Sequence, residues 1–126
     1  MYSSINVEIE YNEGKKQIVQ TWTDFVSSDV FREAINKTVE FTKKNDVRSI
    51  ISDTLKQRAV SPEDSAYAAS VMPTLFENGL KAMAFIIPEN IFTKLSLKKF
   101  AEIEHGHIVE YFMDINEAYK WIERNA

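Results

Sequence analysis

Acidic side chains follow the apolar runs of this sequence, and a parallel sheet gathers such positions at one edge. The runs end at Asp24, Asp53-Thr54, Glu89-Asn90 and Asp114. Carboxylate oxygens that converge there could bind Mg²⁺ or Ca²⁺. Simpler roles are available, because Asp114 can cap a helix, Glu89 can complement a helix N-terminus, and the other two acids suit solvated loops. We therefore predict no metal site here, and a metal-assisted enzyme is the least favoured of three alternatives.

The two histidines are a second candidate for metal binding. His105 and His107 flank Gly106 and could ligate a metal together with Glu102 or Glu104. An isolated His-x-His pattern is also typical of a turn that leads into a strand. We expect His105 at a helix end, where a cationic side chain is favourable, and His107 at the start of a strand.

Other catalytic chemistry finds no support in the sequence. The chain has no cysteine, which excludes thiolate chemistry, disulfides and cysteine-ligated metals. It has no G-x-S-x-G motif, and its three glycines lie outside any phosphate-binding loop. We predict a protein that is not an enzyme, with no catalytic residues and no cofactor.

Length and charge limit the class of protein. The 126 residues suit a single domain spanning 1–126. The net charge of −4 lacks the basic face that nucleic-acid binding requires. The N-terminus has no signal-peptide pattern, and the apolar stretch 82–87 is too short to span a bilayer. We expect a cytoplasmic protein without stable membrane insertion and without a nucleic-acid partner.

Hydrophobic periodicity predicts the first half of the fold. Alternating apolar residues in 5–11, a turn with Gly14 at positive φ, and a return over 16–23 predict a β-hairpin. Residues 31–42 have helical spacing and end at Asn45-Asp46. The runs 47–53 and 80–87 are apolar on both faces, as in buried parallel strands.

Capping residues predict the helices of the second half. Ser61-Pro62-Glu63-Asp64 has an N-cap serine followed by proline at the first helical position, after a loop over 54–60. We expect a kink or break near Met72, before Pro73, and a stop at Gly79. A helix within 89–104, a strand near 107–112 and a helix opened by Asp114 complete the order ββαβαβαβα, an α/β fold.

Four aromatic residues are not assigned by these patterns. They are Phe92, Phe100, Tyr119 and Trp121. They could line an apolar groove for a lipid or a partner helix, although ordinary core packing is the simpler interpretation.

The C-terminal stretch resembles a known family. Residues 111–122, YFMDINEAYKWI, look like the FF-x-D-x-x-E-A-x-x-W-L ending of SpoIIAA-like proteins in the STAS-like superfamily, which shares its architecture with SEC14-type lipid carriers. Ser61-Pro62-Glu63-Asp64 and the stretch 75–85, together with Pro73, are similar as well. The resemblance implies a single mixed sheet in sequential strand order, with an N-terminal β-hairpin and three βα units. It also implies a bacterial, non-catalytic module that binds partners.

The chain departs from the resemblance where anti-sigma factor antagonists carry a phosphorylatable serine. Their acceptor lies in a turn with glycine after the central strand, whereas this chain has Asp53-Thr54-Leu55-Lys56. We predict a protein-interaction or regulatory domain, with self-association possible. The alternative is a carrier or sensor of a lipid or other apolar ligand. The predicted ligand or partner surface comprises Asp53, Thr54, Ser61, Phe92, Phe100 and Trp121.

Overall fold

A single six-stranded sheet organises the computed structural model, which describes residues 1–91 and 109–126. Its strands are β1 (Tyr2–Ser4), β2 (Val7–Asn12), β3 (Gln17–Asp24), β4 (Ser49–Gln57), β5 (Ala82–Ile86) and β6 (Val109–Phe112). They lie side by side in chain order. The pairs β1–β2 and β2–β3 are antiparallel, and each later pair is parallel. The predicted single mixed sheet in sequential order is confirmed.

Three helices are described in full, and they cover the two faces of the sheet. They are α1 (Ser28–Lys44), α2 (Pro62–Glu77) and α3 (Ile115–Asn125). α1 and α2 pack against one face, where Ile9, Ile18 and Ile50 are fully buried. α3 packs against the other, over Ile51 and Ile86. Residues 89–91 are also helical, and the rest of the helix predicted within 89–104 lies outside the described residues.

The N-terminal hairpin differs from its prediction in two details. The predicted order ββαβαβαβα is preceded by the short strand β1, so Ile5 lies in the turn between β1 and β2 and not in a strand. The positive φ of the β2–β3 turn belongs to Lys16, at 53°, and not to Gly14. The reason is the turn type. The Lys16 amide donates to the Glu13 carbonyl and closes a turn with Gly14 and Lys15 at its centre, and the left-handed residue follows these two, at Lys16.

The strand β4 is buried on both faces, which is what the apolar run predicted. Ile50, Ile51, Ala84 and Ile86 are fully buried, as expected for central strands. Phe85 was expected to be deeply buried with them but is only half-buried, because β5 lies next to the outer strand β6, where Phe85 stacks on Tyr111 at 5.5 Å between ring centroids.

Polar side chains are paired with one another in the core that lies between the sheet and the helices α1 and α2. Gln20 Nε2 donates to Thr38 Oγ1 at 2.9 Å, which links β3 to α1, and Trp22 Nε1 donates to Ser52 Oγ at 3.1 Å, which links β3 to β4. Within the described residues no buried side-chain nitrogen or oxygen lacks a partner. The bond between Trp22 and Ser52 also fixes the register of β3 against β4, because a shifted strand would leave both groups unpaired.

The helix α2 is continuous through Pro73, so the alternative of a break near Met72 is wrong. It ends at Glu77, and Gly79 follows with a φ of +113°, the left-handed stop that was predicted. The Leu80 amide donates to Leu75 O and the Gly79 amide to Phe76 O, the two bonds of a Schellman motif. Leu75 and Leu80 are both buried, so the helix stop is fixed by the core.

The strand β4 is longer than predicted and contains a β-bulge. Asp53 does not end the strand, and residues 54–57 of the predicted loop belong to it. Asp53 pairs with Thr21 and Lys56 with Thr23, so Thr54 and Leu55 together lie opposite one residue of β3. The bulge absorbs one extra residue and lets polar positions continue the pairing.

A matched pair of isoleucine truncations tests the two-sided burial of β4. Ile51→Ala should lower the free energy of unfolding by about 2–5 kcal/mol, because it removes buried methyl and methylene groups and leaves a cavity. Ile5→Ala makes the same chemical change at an exposed residue and should cost less than about 0.5 kcal/mol. Urea denaturation measures both. Equal losses at the two positions would contradict the assignment of β4 to the centre of the core.

Candidate functional site at the carboxyl edge

Large apolar side chains are exposed at one edge of the sheet. We call this the carboxyl edge, because β3, β4, β5 and β6 all end there and β2 begins there. Five large apolar side chains are exposed at the carboxyl edge among the described residues. They are Ile5 (74% exposed), Phe25 (62%), Leu55 (42%), Ile91 (40%) and Met113 (47%). These five residues are named the apolar rim below.

Two left-handed residues support the first part of the apolar rim. Asn6 and Asp24 have φ values of 63° and 50°, and they directly neighbour Ile5 and Phe25. Asn6 Nδ2 donates to Phe25 O at 2.9 Å, and the Thr23 amide donates to Asn6 O at 2.9 Å. Asn and Asp are the side chains that tolerate this conformation best. The two turns are thus tied to each other, with an apolar side chain exposed at each.

The bulge of β4 supports Leu55. Asp53 Oδ1 accepts from the Leu55 amide at 3.2 Å, and Thr54 Oγ1 donates to Ile86 O at 2.7 Å. A bulge re-aims side chains, and Leu55, one of the two residues of this bulge, is exposed. Asp53 and Thr54, both predicted surface residues, therefore meet at this bulge and hold it. Asp53 is half-buried in a strand, so the expectation of a solvated loop residue is wrong.

The remaining strand-end acids have structural partners. Asp24 ends β3 and does not lie in a loop, but it is exposed as expected, and its Oδ1 lies 2.8 Å from Arg58 Nε. Asp114 Oδ1 accepts from the Asn116 amide at 2.9 Å and caps α3, as predicted. In the described part of the chain no group of three or more His, Cys, Asp or Glu residues could hold a metal ion. His105, His107, Glu102 and Glu104 lie outside the described residues.

The start of α2 is joined to the start of α1 through Asp64. Its Oδ1 accepts from Ser28 Oγ at 2.7 Å and from Arg32 Nε at 2.9 Å. Asp64 is buried, and these two donors hold the pKa of its carboxyl below the usual value, although burial opposes them. Ser61 Oγ accepts from the Asp64 amide at 3.2 Å, so the predicted N-cap role of Ser61 is confirmed.

The predicted surface residues are brought together only in part. Asp53 is next to Ile86 across the sheet, and Ile86 is next to Phe112, whose ring lies 5.7 Å from that of Trp121. Asp53 and Trp121 therefore share the face covered by α3. Ser61 lies at the start of α2, which covers the opposite face. Phe92 and Phe100 lie outside the described residues.

A cleft of about 470 Å³ lies at the other end of the sheet, beside the β2–β3 turn. Glu10, Glu13, Gln17 and Tyr119 are among its lining residues, and Lys15 Nζ lies 5.0 Å from the centre of the Tyr119 ring. The charged residues that line it are exposed. Tyr119 therefore lies between this cleft and the core that separates the sheet from α3.

Comparison with solved structures identifies the architecture. The chain superposes on an uncharacterised protein of the DUF3478 family from Shewanella loihica PV-4, described as having a SpoIIAA-like fold, with a TM-score of 0.62. The match covers 97% of this chain and 98% of the other, at 13% identity. The chain has a SpoIIAA-like fold. No family model matches it, and no curated protein matches it.

The SpoIIAA-like fold agrees with what the sequence resemblance implied, and its carboxyl edge is where open α/β sheets bind ligands. Sequence reasoning missed the apolar rim, because Ile5 was assigned to a strand and Leu55 to a loop. A usable signal existed: Ile5 and Phe25 each adjoin an Asn or Asp, the residue types that favour the left-handed conformation. Among the described residues, no helix has the length and apolar composition needed to cross a membrane.

Substitutions at Ser61 test its role as a cap. Ser61→Ala removes the acceptor of the Asp64 amide and should cost about 1 kcal/mol of stability. Ser61→Asp should be nearly neutral, because aspartate also caps and its charge suits the helix N-terminus, although Glu63 repels it. Chemical denaturation measures both. A loss in Ser61→Asp as large as in Ser61→Ala would contradict the cap assignment.

Acid titration tests the link between α1 and α2. The pKa of Asp64 is lowered on folding, so its contribution to stability is complete above the unfolded value of about 3.9 and is lost as the pH falls through the lower folded pKa. Asp64→Asn should therefore lower stability at neutral pH and flatten its decline in acid. The control is Asp29→Asn, which removes an exposed carboxylate of α1. Identical acid profiles for wild type and Asp64→Asn would contradict the link.

Proposed function

We propose that this chain is a non-catalytic interaction domain whose protein partner docks on the apolar rim. The observation that carries the proposal is that five large apolar side chains are exposed along the carboxyl edge, one beside each of the strands β2 to β6. Apolar residues that are exposed singly are ordinary, whereas a row of them beside successive strands of one edge is what an interaction surface requires. Two left-handed residues and a bulge support the rim, and such irregular backbone concentrates at functional positions.

The arrangement supports binding better than catalysis. In the described residues the acids at the strand ends are engaged by Arg58, by the Leu55 amide and by the first turn of α3. A catalytic carboxylate needs a perturbed environment and a nearby acid or base partner. The pKa values of Glu40 and Asp64 are lowered, by Lys44 for the first and by Ser28 and Arg32 for the second, so both carboxylates serve as ionised acceptors for structural donors on helices.

A second candidate is the binding of an apolar small molecule. It is favoured by the same rim and by the Phe112–Trp121 ring pair on the neighbouring face. The two candidates differ in what would co-purify with the protein. Native mass spectrometry of the chain isolated from its own cells would give the mass of a lipid for this second candidate and of a protein complex for the first.

Site-specific photocrosslinking in those cells tests the proposal. Phe25→p-benzoylphenylalanine and Leu55→p-benzoylphenylalanine place the reactive group in the rim, and the matched control places it at exposed Lys37 on α1. We expect protein adducts from positions 25 and 55 and none from 37, because the partner covers only the rim. An adduct with a second copy of the chain would identify self-association as the interaction. The same adducts from all three positions, or none from the rim, would overturn the proposal.

A further inference from the structure

The geometry of the apolar rim points to the shape of its partner, and we propose that this is a basic amphipathic helix of about 13 residues. This inference rests on the proposed function. The rim crosses from the start of β2 to the end of β6, which is four strand-to-strand intervals. At about 4.8 Å per interval the edge is about 19 Å long. A helix rises about 1.5 Å per residue, so about 13 residues span it.

The spacing of the strands suits a helix in a second way. One helical turn advances about 5.4 Å, close to the interval of about 4.8 Å between strands, so each turn can place one apolar residue over one strand end. An extended partner is less suitable, because strand addition requires the side of an edge strand and the rim consists of strand ends. The mode of recognition is a helix whose apolar stripe lies on an apolar surface.

Charge at the carboxyl edge sets the chemistry of the partner's flanks. Among the described residues at the strand ends and helix starts, acidic residues outnumber basic ones: Asp24, Asp29, Asp53, Glu89 and Asp114 against Lys56 and Arg58. Arg58 and Asp24 are paired with each other, which leaves the other four acids against Lys56. The chain as a whole carries a net charge of −4. Lys and Arg beside the apolar stripe complement this edge, and an anionic membrane surface is repelled by it.

Model peptides test the proposal directly. The probe is a fluorescein-labelled 14-residue peptide of Leu and Lys with Leu at helical spacing. Its controls are a scrambled peptide of the same composition and a Leu/Glu peptide with the same spacing. Fluorescence anisotropy with the full chain should give binding of the Leu/Lys helix at least tenfold tighter than of either control. The affinity should fall as salt rises, because the flanking charges are exposed.

Variants of the chain locate the binding. Phe25→Ser combined with Leu55→Ser changes no charge and should weaken the Leu/Lys peptide at least tenfold. The matched control, Tyr119→Ser, removes an aromatic ring at the opposite end of the sheet and should leave the affinity unchanged. Equal binding of the Leu/Glu peptide, or no effect of the rim variant, would overturn the inference. Rim-dependent binding to phosphatidylglycerol vesicles would overturn it as well.

The failure of this inference can be distinguished from failure of the proposed function. If the Leu/Lys peptide binds no better than its scrambled control while Phe25 still crosslinks to a protein in cells, the partner is not a basic helix and the rim remains an interaction site. If the crosslinks at positions 25 and 55 are also absent, both proposals are overturned.

Discussion

Every other element depends on the burial of β4 on both faces. Ile50 and Ile51 are neighbours in sequence and both are fully buried, one against α1 and α2 and the other against α3. A strand in this position needs a partner on each side, which β3 and β5 supply in parallel. Parallel neighbours in turn require crossover helices, so the alternation of strand and helix follows from one doubly buried strand. The antiparallel pair β1–β2 then extends the sheet beyond β3.

The same constraint gathers the ends of the parallel strands at one edge. Four parallel strands finish there, and the helices begin there, so the edge combines strand ends with helix N-termini. Acids in the first turns, such as Asp29 and Glu117, offset the positive ends of the helix dipoles. A left-handed non-glycine residue costs on the order of 1 kcal/mol, and the chain places two of them, Asn6 and Asp24, beside exposed apolar side chains.

The fold could be predicted from the sequence where one residue type has one physical meaning. Ser61 and Asp114 cap helices, Gly79 takes positive φ, and the apolar run around Ile50 is buried on both faces, all as expected. The errors lie where pairing decides the outcome. The bulge after Asp53 depends on which residues of β3 lie opposite, and the half-burial of Phe85 depends on its position beside the outer strand β6. The periodicity of a single segment predicts neither the bulge nor the half-burial, because both depend on the neighbouring strand. The candidate site was therefore predicted only in part.

Exposure of the apolar rim is a consequence of how these local structures are fixed. Burying Phe25 would require its turn to fold back, but the Asn6 side chain holds the Phe25 carbonyl and Arg58 binds Asp24 next to it. Returning Leu55 to the core would require removal of the bulge, which Asp53 and Thr54 stabilise with hydrogen bonds to Leu55 and Ile86. A fully exposed large apolar side chain forgoes about 1.5–3 kcal/mol relative to a buried one. The structure therefore holds this surface out by specific polar contacts, and the partner proposed for the rim would recover the burial that the isolated chain lacks.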